Sequence, residues 1–158
     1  MFIKKKKSIE FKKWHGIVLG VILLTVVTLR FWPKSDRPAM IEIGGQKLSV
    51  LVADSFAEHY QGLSDRDTLE PYHGMIFLFD TKKTRTFVMR RMRFSLDIIW
   101  IDDTTIVDIA SNLPPEPNIP ESQLTLYTGK SPADKVLEVP AGFAERYGIK
   151  IGDRIVIK

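Results

Sequence analysis

The sequence predicts a mainly β domain, a compact β-sandwich or barrel with two short helices, preceded by one transmembrane helix. Three observations carry this. Short runs of aliphatic, aromatic and β-branched residues recur from Met40 onward, roughly every 8–12 residues, between Gly, Pro, Asp and Asn punctuation. Helix signals are confined to two brief stretches. Residues 14–32, WHGIVLGVILLTVVTLRFW, form an apolar block of membrane-spanning length. With 158 residues the chain has room for one such domain beside the apolar block.

Taken in order, Met40–Ile43 and Gln46–Ala53 flank Gly44-Gly45, a two-residue hairpin signal. Ser55 with Glu58 three residues later forms a capping box and predicts a helix to about Leu63, with Gly62 near its end. Ser64–Tyr72 is a polar loop. Gly74–Phe79, GMIFLF, reads as a strand buried on both faces. Thr86–Met89 and Leu96–Ile101 are strands around a basic turn, and Asp102-Asp103 turns into a strand over Thr105–Ile109. Asn112–Ser122 carries Pro114, Pro115, Pro117 and Pro120, which excludes a central strand and predicts a stiff surface loop. Leu124–Tyr127 fits an edge strand and Lys135–Val139 a strand. A short helix opens at Pro140 or Ala141 and runs to Tyr147, before Gly148. Ile149–Lys158 reads as a strand pair around Gly152-Asp153.

The N-terminal block has its own logic. Nineteen helical residues rise about 28 Å, close to the hydrocarbon thickness of a bilayer. Trp14 and Trp32 sit where interfacial aromatics belong, and Arg30 is near enough to one end to snorkel. Six lysines precede the block and only Arg30 and Lys34 closely follow it, so the positive-inside rule places the N-terminus in the cytoplasm. A cleaved signal peptide fits poorly, because Arg30 to Lys34 offers no small-residue cleavage site. A buried core helix does not agree with the lysines leading into it. The expected organisation is a cytoplasmic basic tail (1–13), a transmembrane helix (14–32), a linker (33–38) and an extracytoplasmic β domain (39–158).

Charge follows the same division. Residues 1–35 hold eight Lys and Arg against Glu10 alone, a net +7, whereas the whole chain is +4. The remaining residues therefore carry −3, which argues against nucleic acid as a partner. There is no cysteine, so disulfides, thiolate zinc sites and a cysteine nucleophile are excluded.

Several blocks together resemble one family: Gln61-Gly62-Leu63 with Arg66, then Gly74-Met75-Ile76-Phe77, then Thr86 to Asp102, then Pro132-Ala133 with Val136 to Gly142, then Gly152-Asp153. Over about residues 48–158 the chain is similar to the domain of unknown function 192 family. Relative to that pattern Met89 and Leu96-Asp97 are kept. Val88, Arg90, Arg91 and Met92 stand where Trp, Lys, Asn and Thr are usual, and Ser95 replaces a proline. The resemblance implies a jelly-roll-like β domain, often exported or anchored, and no known activity.

The site candidates come from the residues themselves. Asp97 is a carboxylate inside the apolar run Leu96–Ile101 and needs a partner. Arg90, Arg93 or Arg66 could supply one, as a structural ion pair or as part of a ligand site. Arg90, Arg91 and Arg93 could also grip an anion such as a phosphate, a carboxylate or an envelope polymer. Their alternative role is a solvated hairpin tip. Met89, with Met92, could line a pocket, though packing is the simpler role; without supporting ligands the pair makes no metal site. His59 and His73 lack metal spacing and read as surface residues. Glu138 lies between Leu137 and Val139, exposed or paired with an arginine; with Asp97 across a cleft it would suggest hydrolysis. No GxSxG, P-loop or GxGxxG motif is present, and no cofactor is implied. The leading expectation is a non-catalytic module of the cell envelope that binds a ligand or protein. The alternatives are a hydrolase using Asp97 and Glu138, and a structural partner docking through a sheet edge.

Overall fold

The predicted hairpin opens the domain. β1 (Pro38–Ile43) pairs antiparallel with β2 (Gln46–Ala53), Ile43 opposite Gln46. Gly44 and Gly45 take φ of 55° and 74°, the positive values both central positions of such a turn require. In this computed structural model residues 37–158 are described, with Trp14, Gly16, Val18, Gly20 and Val21 as isolated helical positions. Met1–Ser35 and Asp36–Lys158 are separate compact units. The basic tail, and most of the apolar span and linker, lie outside the described residues. Among the described residues no helix is long and apolar enough to cross a membrane.

After β2 comes α1 (Phe56–Gln61), capped as its sequence predicts. The Ser55 hydroxyl accepts from the Glu58 N–H, and the Glu58 carboxylate accepts from the Ser55 N–H at 3.0 Å. A loop over residues 62–73 leads to β3 (Gly74–Lys83), which runs parallel to β2 with Val50 opposite Gly74. Then follow β4 (Thr86–Phe87), β5 (Leu96–Asp102), β6 (Thr105–Leu113), a 3-10 turn over Glu121–Gln123, β7 (Tyr127–Thr128), β8 (Ala133–Pro140), α2 (Phe143–Arg146) and β9 (Ile155–Ile157).

Seven strands form one sheet in the order β6-β5-β8-β3-β2-β1-β9, and β4 pairs with β7 in a separate ribbon. The sheet curls into a half-barrel until its two edges meet. The Ile155 N–H donates to Thr104 O and the Ile106 N–H to Asp153 O, each at 2.9 Å. This is not the stacked pair of sheets of a sandwich or jelly roll. The departure lies in the parallel β2–β3 pair, which needs the long crossover through α1. Several element boundaries also differ from expectation: β3 runs on to Lys83, β4 stops at Phe87 and α2 covers only Phe143–Arg146. The proline loop begins after Leu113, the edge strand shrinks to β7, and Ile149 is a buried loop residue rather than the start of a strand.

Strand alternation sorts the core onto two faces. Ile41, Ile76, Ile99, Ile106, Leu137 and Ile155 share one cluster; since it contains residues of both sheet edges, it is the face the curl encloses. Met75, Phe77, Ile98, Trp100 and Val136 point the other way, under Leu63, Leu69, Met89 and Met92 from the connecting segments.

Asp97 is fully buried on the enclosed face; Arg90, Arg91 and Arg93 pair with Glu121, Asp65 and Asp67, and the Asp97 carboxylate is held by backbone amides instead. Its Oδ1 accepts the N–H of Asn112 at 2.8 Å and of Gly142 at 3.1 Å; its Oδ2 accepts the N–H of Ala144 at 2.9 Å. The reason is local. β6 shifts register between Leu96 and Ile98, which leaves the Asn112 amide without a strand partner. α2 begins on a glycine that has no side chain to cap it. One carboxylate serves both defects. A second buried aspartate repeats the device: Asp108 accepts from the Ile109 and Lys130 N–H groups, next to the other register shift of β6.

Asp97→Asn replaces an acceptor by a donor that faces backbone N–H groups. The variant is expected to lose about 2–4 kcal/mol of stability, read as a lower urea midpoint at unchanged slope.

Candidate functional site

β8 lies between β5 and β3, and its register places Glu138 opposite Ile98 on one side and Met75 on the other. Alternation sends the Glu138 side chain to the face opposite that of Asp97, which stands one residue along opposite Val139. The two acids therefore do not meet across a cleft, and the hydrolytic pair drawn from sequence is not assembled.

Glu138 instead lines a cavity of about 360 Å³ between α1, the outer end of β3 and the segment 84–92. The residue is 5 % exposed, and its Oε2 meets no hydrogen-bond donor among the described residues. Desolvation alone pushes the Glu138 carboxyl up to about 8, so at neutral pH it is mostly protonated, able to donate as well as accept. Close packing at Gly74 fixes its backbone: a Cβ there would collide with the Glu138 carbonyl oxygen.

The walls are aromatic and the rim is cationic. Phe77 and Phe87 meet edge-on at 4.9 Å, and His59 packs on Phe79 at 4.5 Å. The His59 Nε2 lies 3.1 Å from Ala53 O and 3.0 Å from Leu78 O, so a neutral ring carries its proton on Nε2 to bond either carbonyl. His59 is thus a half-buried strut rather than a surface residue. The Arg85 guanidinium lies 3.8 Å over the Phe79 ring, and that of Arg90 lies 3.7 Å over Tyr60. Arg90 Nη1 also bonds Glu121 Oε1 at 2.9 Å, tying the cavity rim to the 3-10 turn after the proline loop. The Ser64 hydroxyl donates to Arg90 O at 2.8 Å and holds the rim against the end of α1.

Of the six candidates only Arg90 and Glu138 share this cavity. Met89 is buried in the core beneath it, as packing predicts. Arg93 pairs with Asp67 and Arg91 with Asp65, all on the exposed surface. Arg66 is half-buried in the turn after α1 and does not line the cavity. The arginines scatter because the chain reverses at Arg91, which takes a positive φ of 49°. The sequence singled out neither Arg85 nor the Phe77, Phe79, Phe87 wall, and it placed His59 at the surface. Their one visible signal was the clustering of aromatics at alternate positions of β3, which equally describes a core strand. Among the described residues no cluster of His, Asp and Glu could hold a metal ion.

The Glu138 shift has a definite sign. Below pH 4.5 both folded and unfolded chains hold the proton, so the group contributes no pH dependence. Between pH 4.5 and about 8 the unfolded chain releases it while the folded chain keeps it, and stability falls as pH rises. The loss is on the order of 4 kcal/mol across that window. Glu138→Gln is expected to remove this slope, so that the variant gains on wild type in urea titrations run from pH 5 to pH 8.

The model of the domain of unknown function 192 family, described as Uncharacterized ACR, matches residues 39–157. A crystal structure of a candidate transcription regulator from Sinorhizobium meliloti 1021 is similar, with TM-score 0.70 and 26% identity, over 80% of this chain and 98% of that one. A protein of unknown function from Novosphingobium aromaticivorans DSM 12444 gives TM-score 0.65 and 31% identity, over 79% of this chain and 89% of that one. Comparison with curated proteins finds no match. With the family model spanning the whole of the β domain, the chain belongs to the domain of unknown function 192 family.

Proposed function

We propose that the chain is a membrane-anchored, extracytoplasmic, non-catalytic binding module whose ligand enters the cavity lined by Glu138. One observation carries this reading: a carboxyl group only 5 % exposed belongs to a residue lining a cavity of about 360 Å³, and one of its oxygens is buried without a hydrogen-bond donor among the described residues. Burying an unsatisfied carboxyl destabilises a fold by about 1–3 kcal/mol, and binding sites are where such a cost is offset by a partner. The anchor rests on the lysine-flanked apolar block of residues 14–32 and its interfacial tryptophans.

The two other readings have less behind them. Hydrolysis through Asp97 lacks a usable acid, because its carboxylate is occupied by three backbone amides. Docking through the β9 edge would use the exposed Met40 and Val156, yet the Glu42–Lys158 ion pair shares their face of the sheet and interrupts it.

A thermal-shift screen of small molecules against the full-length protein in detergent tests the binding reading. A ligand of this cavity is expected to raise the Tm of wild type and to lose most of that shift in Arg90→Ala. Shifts that Arg90→Ala and Glu138→Gln both leave intact would place binding elsewhere. The topology has its own readout. A reporter active only outside the cytoplasm, fused after Lys158, is expected to be active, and a reporter active only in the cytoplasm to be silent.

A further inference from the structure

We infer that the Glu138 cavity selects small organic anions, in particular carboxylates with an apolar body. The inference rests on the binding reading above and names its ligand class. Three features of the cavity point to it. Arg85 and Arg90 both line the cavity, and each keeps a buried Nε–H that meets no acceptor among the described residues. Their remaining contacts hold them without filling that need: Arg85 donates to Thr81 O, Arg90 pairs with Glu121, and each guanidinium is seated on an aromatic ring. Glu138 is buried and its Oε2 meets no donor among the described residues, so the carboxyl, raised by desolvation, adds a donor to the cavity without adding a charge that would repel an anion.

The balance of donors and acceptors decides the class. Two guanidinium groups lining the cavity and one carboxyl that can donate call for a group rich in acceptors. A carboxylate supplies two oxygens with about four lone-pair sites. An amine supplies only donors and would meet two arginines in a cavity of low dielectric, where like charges repel strongly. The body of the ligand must match Phe77, Phe79 and Phe87, which excludes a small hydrated anion as the best occupant. A cavity of about 360 Å³ falls at the lower end of the range for small-molecule sites, so the body is a single ring or a short chain rather than a polymer.

The test is isothermal titration of the full-length protein in detergent with phenylpropanoate, phenylpropanol and phenylpropylamine, which share one body and differ in charge. Phenylpropanoate is expected to bind at one site, the alcohol about tenfold more weakly, and the amine not at all within about 10 mM. Arg85→Ala and Arg90→Ala are each expected to weaken phenylpropanoate about tenfold or more, with far-UV circular dichroism showing both folded. Arg90→Lys, which keeps the charge and removes the guanidinium fork, is expected to fall between Arg90→Ala and wild type. The alcohol or amine binding as tightly as the acid would overturn the anion class and leave the cavity reading in place. Phenylpropanoate binding unaffected by either alanine variant would overturn the inference by placing the anion elsewhere. Failure of all three probes would overturn the inference, while the thermal-shift screen decides the binding reading separately.

Discussion

Three backbone N–H groups, from the end of β6, from the turn after β8 and from the first turn of α2, converge on the Asp97 carboxylate at 2.8–3.1 Å. Each belongs to a segment that would otherwise have a polar defect. Asn112 sits in a register shift, and Gly142 and Ala144 begin a helix without a side-chain cap. A neutral side chain could satisfy at most part of this set, since only a carboxylate offers acceptors alone. The bonds also fix position. They lock the end of β8 against β5, with Asp97 opposite Val139, and that register directs Glu138 to the opposite face. The site on one face of the sheet depends on the charge buried in the other.

The buried acids differ in how their oxygens are satisfied. Asp97 and Asp108 are both buried, and both have their oxygens answered by backbone amides beside irregularities of β6. Glu138 is buried to the same degree and has neither an amide nor a cation at its Oε2. A buried polar group without a partner is rare enough in native proteins to need an explanation. Desolvation raises its pKa, so the fold carries it protonated at a cost that grows with pH. An apolar residue at position 138 would avoid that cost, so packing alone does not account for the acid there.

How much of this was legible in the sequence follows from the range of each interaction. The hairpin at Gly44-Gly45, the capping box at Ser55 and Glu58, and the strand cores of β2, β3, β5 and β8 are set by neighbours a few residues apart, and all were readable. The parallel β2–β3 pairing was not, because nothing local distinguishes a strand that pairs with its predecessor from one that crosses over. Nor was the partner of Asp97. Every residue has a backbone amide, so composition can suggest an arginine but can never flag Asn112, Gly142 or Ala144. Asp97 and Glu138 both stood out as acids between apolar neighbours, yet strand period alone could not say that they end on opposite faces of one sheet, because that requires the β5–β8 register.

The arginine cluster shows the same limit from the other side. Arg90, Arg91 and Arg93 are crowded in sequence, which suggested a single cationic patch. The left-handed residue at Arg91 turns the chain so that successive side chains radiate: Arg91 and Arg93 reach Asp65 and Asp67 in solvent, while Arg90 folds back over Tyr60. Exposed pairs of that kind contribute about 0–1 kcal/mol and are screened by salt. The Arg90 side chain is only 11 % exposed, so its field acts through a medium of lower dielectric and is felt inside the cavity. The second cation of the cavity, Arg85, comes from outside the cluster, set by the Trp100 indole that donates to its carbonyl at 3.0 Å. The electrostatics of the site are therefore made by two arginines five positions apart, brought to one rim by aromatic seats rather than by proximity in the chain.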